Sequence, residues 1–329
     1  MTLLILNKRE VTEMLSMPKC IELMESALAS LSRGEVILPL RPVIRIPDSQ
    51  NAFAVMPTYS AALKASGAKL ITVYPANHGT PLDSHQGAVL LFDGENGRLL
   101  AMMDAASITA IRTAAVSGVA TRLLARENAQ TLAILGAGVQ GRTHVDAMLA
   151  VRPFKKVLVW SRRADHTKLL VASARKRHSA EFVVAKDAEE AVRDADVVCT
   201  VTASREPVLH GEWLRRGAHV NAVGSSIPSA RELDSEAVRR SRVYVDRKES
   251  ALNEAGDLLI PMKEGVIGAE SIVAEIGELI IGDAERLGRT SEDDITLFKS
   301  LGLAVEDLAC AHYLHDRAAR DKAGTWVEF

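Results

Sequence analysis

The chain has 329 residues, 47% of them hydrophobic and 25% charged, with 40 basic against 42 acidic side chains. That length allows two domains with sizeable cores, and the near-zero balance argues against a broad nucleic-acid footprint, which needs clustered excess lysine and arginine. Three widely spaced cysteines, Cys20, Cys199 and Cys310, make no disulfide framework. The opening MTLLILNKREVTEML lacks a basic segment before its short apolar run, and no apolar run reaches about 18 residues. The expectation is a cytoplasmic protein that does not enter a membrane.

Val11 to Leu31 repeats apolar residues at helical spacing and ends at Ser32-Arg33-Gly34. Five strand-like pieces follow, VIRIP, AFAVMP, AKLITVYP, GAVLLFD and GRLLAMMD, with turn residues between them. Strands in a row without intervening helices predict a largely antiparallel layer. Ala105 to Leu124 reads as a helix rich in small residues.

From Gln130 the rhythm changes. TLAILG, VLVW, EFVVA, DVVCTVT, HVNAVG and RVYVD are short apolar strands separated by helical or loop segments. Such alternation is the pattern of βαβ units and a parallel sheet buried on both faces. ESIVAEIGELIIG and ITLFKSLGLAVEDLACAHYLHDRAAR read as helical, and the last helix is expected to return to the first domain. The fold expected is therefore α/β. A Rossmann-type doubly wound parallel sheet at 126–299 is inserted into an α+β domain formed by 1–125 and 300–329.

In AILGAGVQGRTHVDAML, Gly136, Gly138 and Gly141 form G-x-G-x-x-G directly after a strand and at the start of a helix. The first glycine makes a tight turn, the second lets backbone approach a pyrophosphate, and the third allows helix to pack on strand. With Val139 and Gln140 between them, they are the candidate dinucleotide site; a plain glycine-rich turn would not explain all three in register. The second strand of this unit ends VLVWSRRAD. An NAD-type site usually has Asp or Glu there to hold the ribose 2′-hydroxyl, whereas this chain has Ser161, Arg162 and Arg163. That favours NADPH, with NADH possible; arginines capping a helix start in solvent are the plainer reading. Thr202 and Val223, at the ends of DVVCTVT and HVNAVG, complete the candidate cofactor set.

Isolated charges mark the first half: Arg41 in LPLRPVIRIP, Lys69 in GAKLITVYP and Arg112 in SITAIRTAAVSG. Arg112 has Ile108, Ala115 and Val116 around it at helical spacing, so that face reads as buried, and a buried arginine needs an anion.

Taken in order, PLRPVIR, FAVMPTYSA, AKLITVY, SHQGAVLLFD, GRLLAMMD, ITAIRTAAVS, ILGAGVQ, GAHVNAVG, RELD, YVD and LFKSLGLAVED make the chain resemble the ornithine cyclodeaminase/mu-crystallin family over essentially its whole length. The resemblance implies a homodimer built through the N-terminal halves, with a small amino or imino acid bound between the domains. It makes Arg41 and Arg112 a carboxylate clamp with Lys69 beside them. A lysine crowded by positive charges should have a lowered pKa, and it could donate a proton to a substrate nitrogen or help hold the carboxylate. His85, in Ser84-His85-Gln86, is read as a supporting residue rather than an acid.

The departure comes at Ser226, in VGSSIPSAREL, where the cyclodeaminases carry Asp and ketimine reductases like mu-crystallin carry Ser. Serine cannot act as a carboxylate base, so the resemblance points to reduction of a C=N bond. The substrate expected is a cyclic 2-imino acid such as Δ1-pyrroline-2-carboxylate or Δ1-piperideine-2-carboxylate. An alanine dehydrogenase activity, ornithine cyclodeamination and a non-catalytic NADPH-dependent ligand-binding role are the alternatives. Glu306 and Asp307 either line the cofactor cleft or serve a helix start or a hinge. Cys199 reads as core, and His312 with His315 as a polar helix face rather than a metal pair, so no metal is expected.

Overall fold

The computed structural model describes residues 2–77 and 79–329, without the side chains of 283–285. The chain divides into two compact units, Met1–Arg112 with Gly302–Phe329, and Thr113–Leu301.

The first unit is built on strands β1 (Thr2–Leu6), β2 (Val36–Ile37), β3 (Val43–Arg45), β4 (Ala52–Ser60), β5 (Ala65–Val73), β6 (His85–Asp93) and β7 (Leu99–Asp104). The sheet runs from the C-terminal strand Thr325–Glu328 through β1, β7, β6, β5 and β4 to β2, with β3 also on β4. Every pairing is antiparallel except β1 with β7. The five strands expected from sequence are β3 to β7; β1, β2 and the C-terminal strand extend them. Burial alternates along β4 and β5, so one face of the sheet is core. Helices Met17–Ser32 and Ala304–Asp321 pack together, and the latter runs across β4, β5 and β6.

The single helix expected between Val11 and Leu31 is two, Lys8–Met14 and Met17–Ser32. Asn7 caps the first with a capping box. Pro18 stands in the first turn of the second, where a missing N–H costs nothing; in mid-helix the same residue would break the ladder.

The second unit holds β8 (Thr131–Leu135), β9 (Lys156–Trp160), β10 (Glu181–Val184), β11 (Val197–Thr200), β12 (His219–Ala222), β13 (Ser241–Val245), β14 (Ile272–Glu275) and β15 (Ile295–Lys299). Their order is β10-β9-β8-β11-β12-β15-β13-β14, and all pairings are parallel. After β10 the chain crosses back to lay β11 on the free side of β8. This reversal makes β8/β11 the topological switch point at which open parallel sheets bind ligands.

Two segments read as helical are strands. ITLFK is β15, buried at every residue between β12 and β13, and IVAE is β14 at the sheet edge. A short apolar run buried on both sides has no period that separates strand from helix. The helix Ala105–Leu124, expected to belong wholly to the first domain, is shared between the units. Its second half carries Ser117, bonded to His144 Nε2 at 3.0 Å, and Thr121, which accepts from Asn221 Nδ2 at 2.9 Å. These polar contacts tie that half to the parallel sheet and its first helix.

Candidate active site

Lys69 points from β5 into the core face and is buried. Its Nζ lies 2.8 Å from Asp307 Oδ2 and 3.4 Å from Thr109 Oγ1. Burial and the neighbouring Arg112 lower its pKa to about 8, with Arg41 adding to the effect and Asp307 opposing it. The lysine therefore remains an ammonium at neutral pH but gives up its proton far more readily than one in water.

Arg112 is equally buried. Its Nη1 is 2.8 Å from Glu306 Oε2 and its Nε is 3.2 Å from Asp307 Oδ1. Burial opposes its charge, but Asp307 and Glu306 prevail and raise its pKa above the ordinary value. Its place depends on a bare backbone: a Cβ on Gly302 would lie 2.3 Å from Nη1, and Gly302 also has φ +81°. The guanidinium rests on the turn that leads into the Ala304–Asp321 helix. Glu306 and Asp307 then fall in that helix's first turn, where acidic side chains are favoured.

The sequence placed both carboxylates in a motif but left their role open. The structure makes them the counter-ions of the two buried cations. The only hint in the sequence was two acids in succession inside an apolar stretch, and the pairing spans 195 residues for Arg112 and Asp307. Arg41 adds a third basic group, near enough to Lys69 to lower its pKa.

His85 opposes Val73 across β5 and β6, as Val89 opposes Lys69, so His85 and Lys69 share a face of the sheet. Its Nδ1 is 3.1 Å from Ser84 Oγ. Desolvation and the Lys69 ammonium push its pKa down, which keeps the ring neutral near pH 7. Arg41 is half-buried just before β3, close enough to Lys69 to act on its pKa. One face of the first unit thus brings together Arg41, Lys69, Arg112 and His85.

Ser226 belongs to the second unit, exposed on the loop after β12, and Val223 is half-buried where that loop begins. Val139, Gln140 and the three glycines lie at the end of β8 and the start of the helix Val139–Val151. Gly136 has φ +123°, and a Cβ there would meet the Val201 carbonyl oxygen at 2.7 Å. A Cβ on Gly141 would lie 2.1 Å from the Gly136 oxygen, so the helix packs directly on the turn. A Cβ on Gly138 would meet nothing within 4 Å; its backbone faces open space. The helix has no side-chain cap, which leaves its first N–H groups for an anion. These residues fit the pyrophosphate of a dinucleotide.

At the end of β9, Ser161 Oγ is 3.0 Å from the Arg163 carbonyl, to which it donates, and 2.8 Å from Thr167 Oγ1. Arg162 and Arg163 are exposed beside it. Thr202 follows β11 at the same edge of the sheet, its N–H held by the Glu232 carboxylate at 2.6 Å. Cys199 is a buried core thiol, its pKa pushed up to about 12 by desolvation. No group of metal-ligating side chains occurs among the described residues.

The model of the ornithine cyclodeaminase/mu-crystallin family matches residues 1–322. A Δ1-pyrroline-2-carboxylate reductase of Bacillus cereus is 39% identical over 328 residues, covering 99% of this chain and 100% of the relative. Ketimine reductase mu-crystallin of Mus musculus is 43% identical over 296 residues, 89% of this chain and 90% of that one. The solved structure of Thermococcus litoralis Δ1-pyrroline-2-carboxylate reductase, in complex with NADH and L-proline, superposes with a TM-score of 0.95 at 40% identity, covering 98% of this chain and 99% of the other. With the family model matched over nearly the whole chain and full-length relatives at about 40% identity, the chain belongs to the ornithine cyclodeaminase/mu-crystallin family.

Proposed function

We propose that the protein is a nicotinamide-dependent ketimine reductase, which converts a cyclic 2-imino acid such as Δ1-pyrroline-2-carboxylate or Δ1-piperideine-2-carboxylate into the L-amino acid. The observation that carries this reading is the buried Lys69, an ammonium of lowered pKa held 2.8 Å from Asp307 and beside Arg112. Reduction of C=N needs a hydride at carbon and a proton at nitrogen. When bound at the glycine turn, the reduced nicotinamide supplies the hydride. Arg41 and Arg112 bind the substrate carboxylate and fix the ring in one orientation. Lys69 gives its proton to the ring nitrogen, and Asp307 keeps the ammonium charged until then. His85, neutral and on the same face, supports the pocket without carrying the proton. Ser226 offers a small polar wall in place of a carboxylate, which removes the partner a second substrate ammonium would need.

The test is a panel of substrates with reduced nicotinamide: the two cyclic imines, pyruvate with ammonia, and ornithine with the oxidised cofactor. Rapid cofactor oxidation with the imines is expected. Turnover confined to pyruvate or ornithine would overturn the reading.

Two finer features belong to the proposal. The cofactor preferred is NADPH, because Ser161 replaces a carboxylate and exposed Arg162 and Arg163 stand ready for a 2′-phosphate. Loss of one charge-assisted contact in Arg162→Ala should raise KM for NADPH by about tenfold and leave KM for NADH unchanged; equal values for both cofactors before and after the substitution would refute the preference. The working form is a cytoplasmic homodimer. Support comes from the sheet face opposite Lys69, where Val55, Leu70, Leu90, Phe92 and Leu100 are only partly covered within the chain, and from three cysteines that are free thiols. No helix among the described residues is long and apolar enough to cross a membrane.

A further inference from the structure

Glu232 is fully buried in the second unit, yet none of the steps above uses it. Its Oε1 accepts the N–H of Thr202 and its Oε2 the N–H of Gly224, both at 2.6 Å. Thr202 follows β11 and Gly224 follows β12, neighbouring parallel strands, so one carboxylate spans two strand-end loops. The space is filled to contact: a Cβ on Gly224 would lie 2.1 Å from the Thr202 oxygen and 2.5 Å from Glu232 Oε1. The residue before Thr202 is Val201, whose carbonyl abuts Gly136 of the glycine turn. The brace therefore bears on the turn expected to hold the pyrophosphate.

Behind it stands a second buried carboxylate. Asp257 Oδ1 accepts the N–H groups of Glu232 and Leu233 at 2.7 and 3.1 Å, and its Oδ2 is 2.8 Å from Lys299 Nζ. Asp257 and Lys299 neutralise each other, which leaves Glu232 without a cation of its own. Burial and the Asp257 charge push its pKa up to about 7, while the Thr202 contact and Lys299 pull the other way. The charged groups that act on it most strongly are Asp257 and Lys299.

We propose that Glu232 is a positioning residue for the nicotinamide cofactor: its two oxygens set the spacing of the loops after β11 and β12, and its ionisation makes cofactor affinity depend on pH. The inference rests on the reading that the cofactor lies across these strand ends. Ionised, the carboxylate accepts both N–H groups. Protonated, one oxygen becomes a donor facing a donor, and one loop loses its anchor. The charged form prevails above pH 7, so affinity is full there and falls as pH drops through 7.

The test uses the full-length protein and NADH, whose ribose carries no titrating phosphate, with binding followed by nicotinamide fluorescence. The dissociation constant should rise about tenfold from pH 8 to pH 6 in the wild type. In Glu232→Gln, where the amide can serve only one of the two N–H groups, it should be raised by a similar factor at pH 8 and be nearly flat with pH. Its kcat at saturating cofactor should stay within about threefold of wild type. A purely structural role would lower the thermal midpoint without removing the pH step. A wild-type constant that is flat between pH 6 and 8 overturns the proposal without needing a variant, and so does a folded Glu232→Gln protein that binds NADH as the wild type does. Absence of NADH and NADPH binding at every pH would instead overturn the proposed function on which the inference stands.

Discussion

Lys69→Met is expected to reduce kcat for the cyclic imines by about a hundredfold to ten-thousandfold while leaving the dissociation constant of the reduced nicotinamide unchanged. Methionine keeps the length and most of the volume of the side chain, so the core face of β5 stays filled. What disappears is the proton source. In the wild type, the ammonium form exists below its pKa of about 8. Reduction should therefore be steady near neutral pH and fall tenfold per unit once pH rises well past 8, the sign expected for an acid that must be protonated to act. Steady-state rates between pH 6 and 10, for both proteins, check this. A Lys69→Met enzyme with wild-type kcat would remove Lys69 from the chemistry.

The second large effect concerns Asp307. It touches both buried cations, Lys69 at 2.8 Å and Arg112 at 3.2 Å, and its side chain is 1% exposed. Asp307→Asn keeps the shape but takes away the charge that sustains the Lys69 ammonium. Burial and Arg112 then act on Lys69 with less opposition, so its pKa falls and the alkaline limb of the pH–rate profile moves to lower pH. Breaking a buried ion pair on one side also leaves uncompensated charge, which costs about 3 kcal/mol of stability. Thermal denaturation and the pH profile read the two effects separately. An unshifted limb in a folded variant would show that Asp307 does not set the proton affinity of Lys69.

Much of this molecule could be read from residue order alone, and the limits have physical causes. The glycine turn was legible because each glycine answers a separate steric demand, and the structure meets each one: a positive φ at Gly136, open space at Gly138, a helix pressed on the turn at Gly141. The antiparallel strands β3 to β7 were legible from their turns. By contrast, β15 was read as helix, because five buried residues in a row carry no alternation. The split helix near Ser16 was missed for the opposite reason: a continuous 3.6-residue period hides a break that only Pro18 announces. Lys69 and Arg112 stood out as charges in apolar surroundings. Their partners did not, because Glu306 and Asp307 are distant in sequence, and only the fold decides that they meet. Glu232 was hidden likewise; in the sequence it is one acid in RELD, and its two N–H partners come from separate loops.

In the proposed reaction hydride passes to the carbon of a C=N bond in a cyclic imino acid. The direct measurement is one turnover of Δ1-pyrroline-2-carboxylate with reduced nicotinamide dideuterated at C4, with the product examined by NMR and mass spectrometry. L-Proline carrying a single deuterium at Cα is the expected product, with Lys69→Met protein giving the same product far more slowly. Proline without deuterium, or cofactor oxidation with no proline formed, would contradict it.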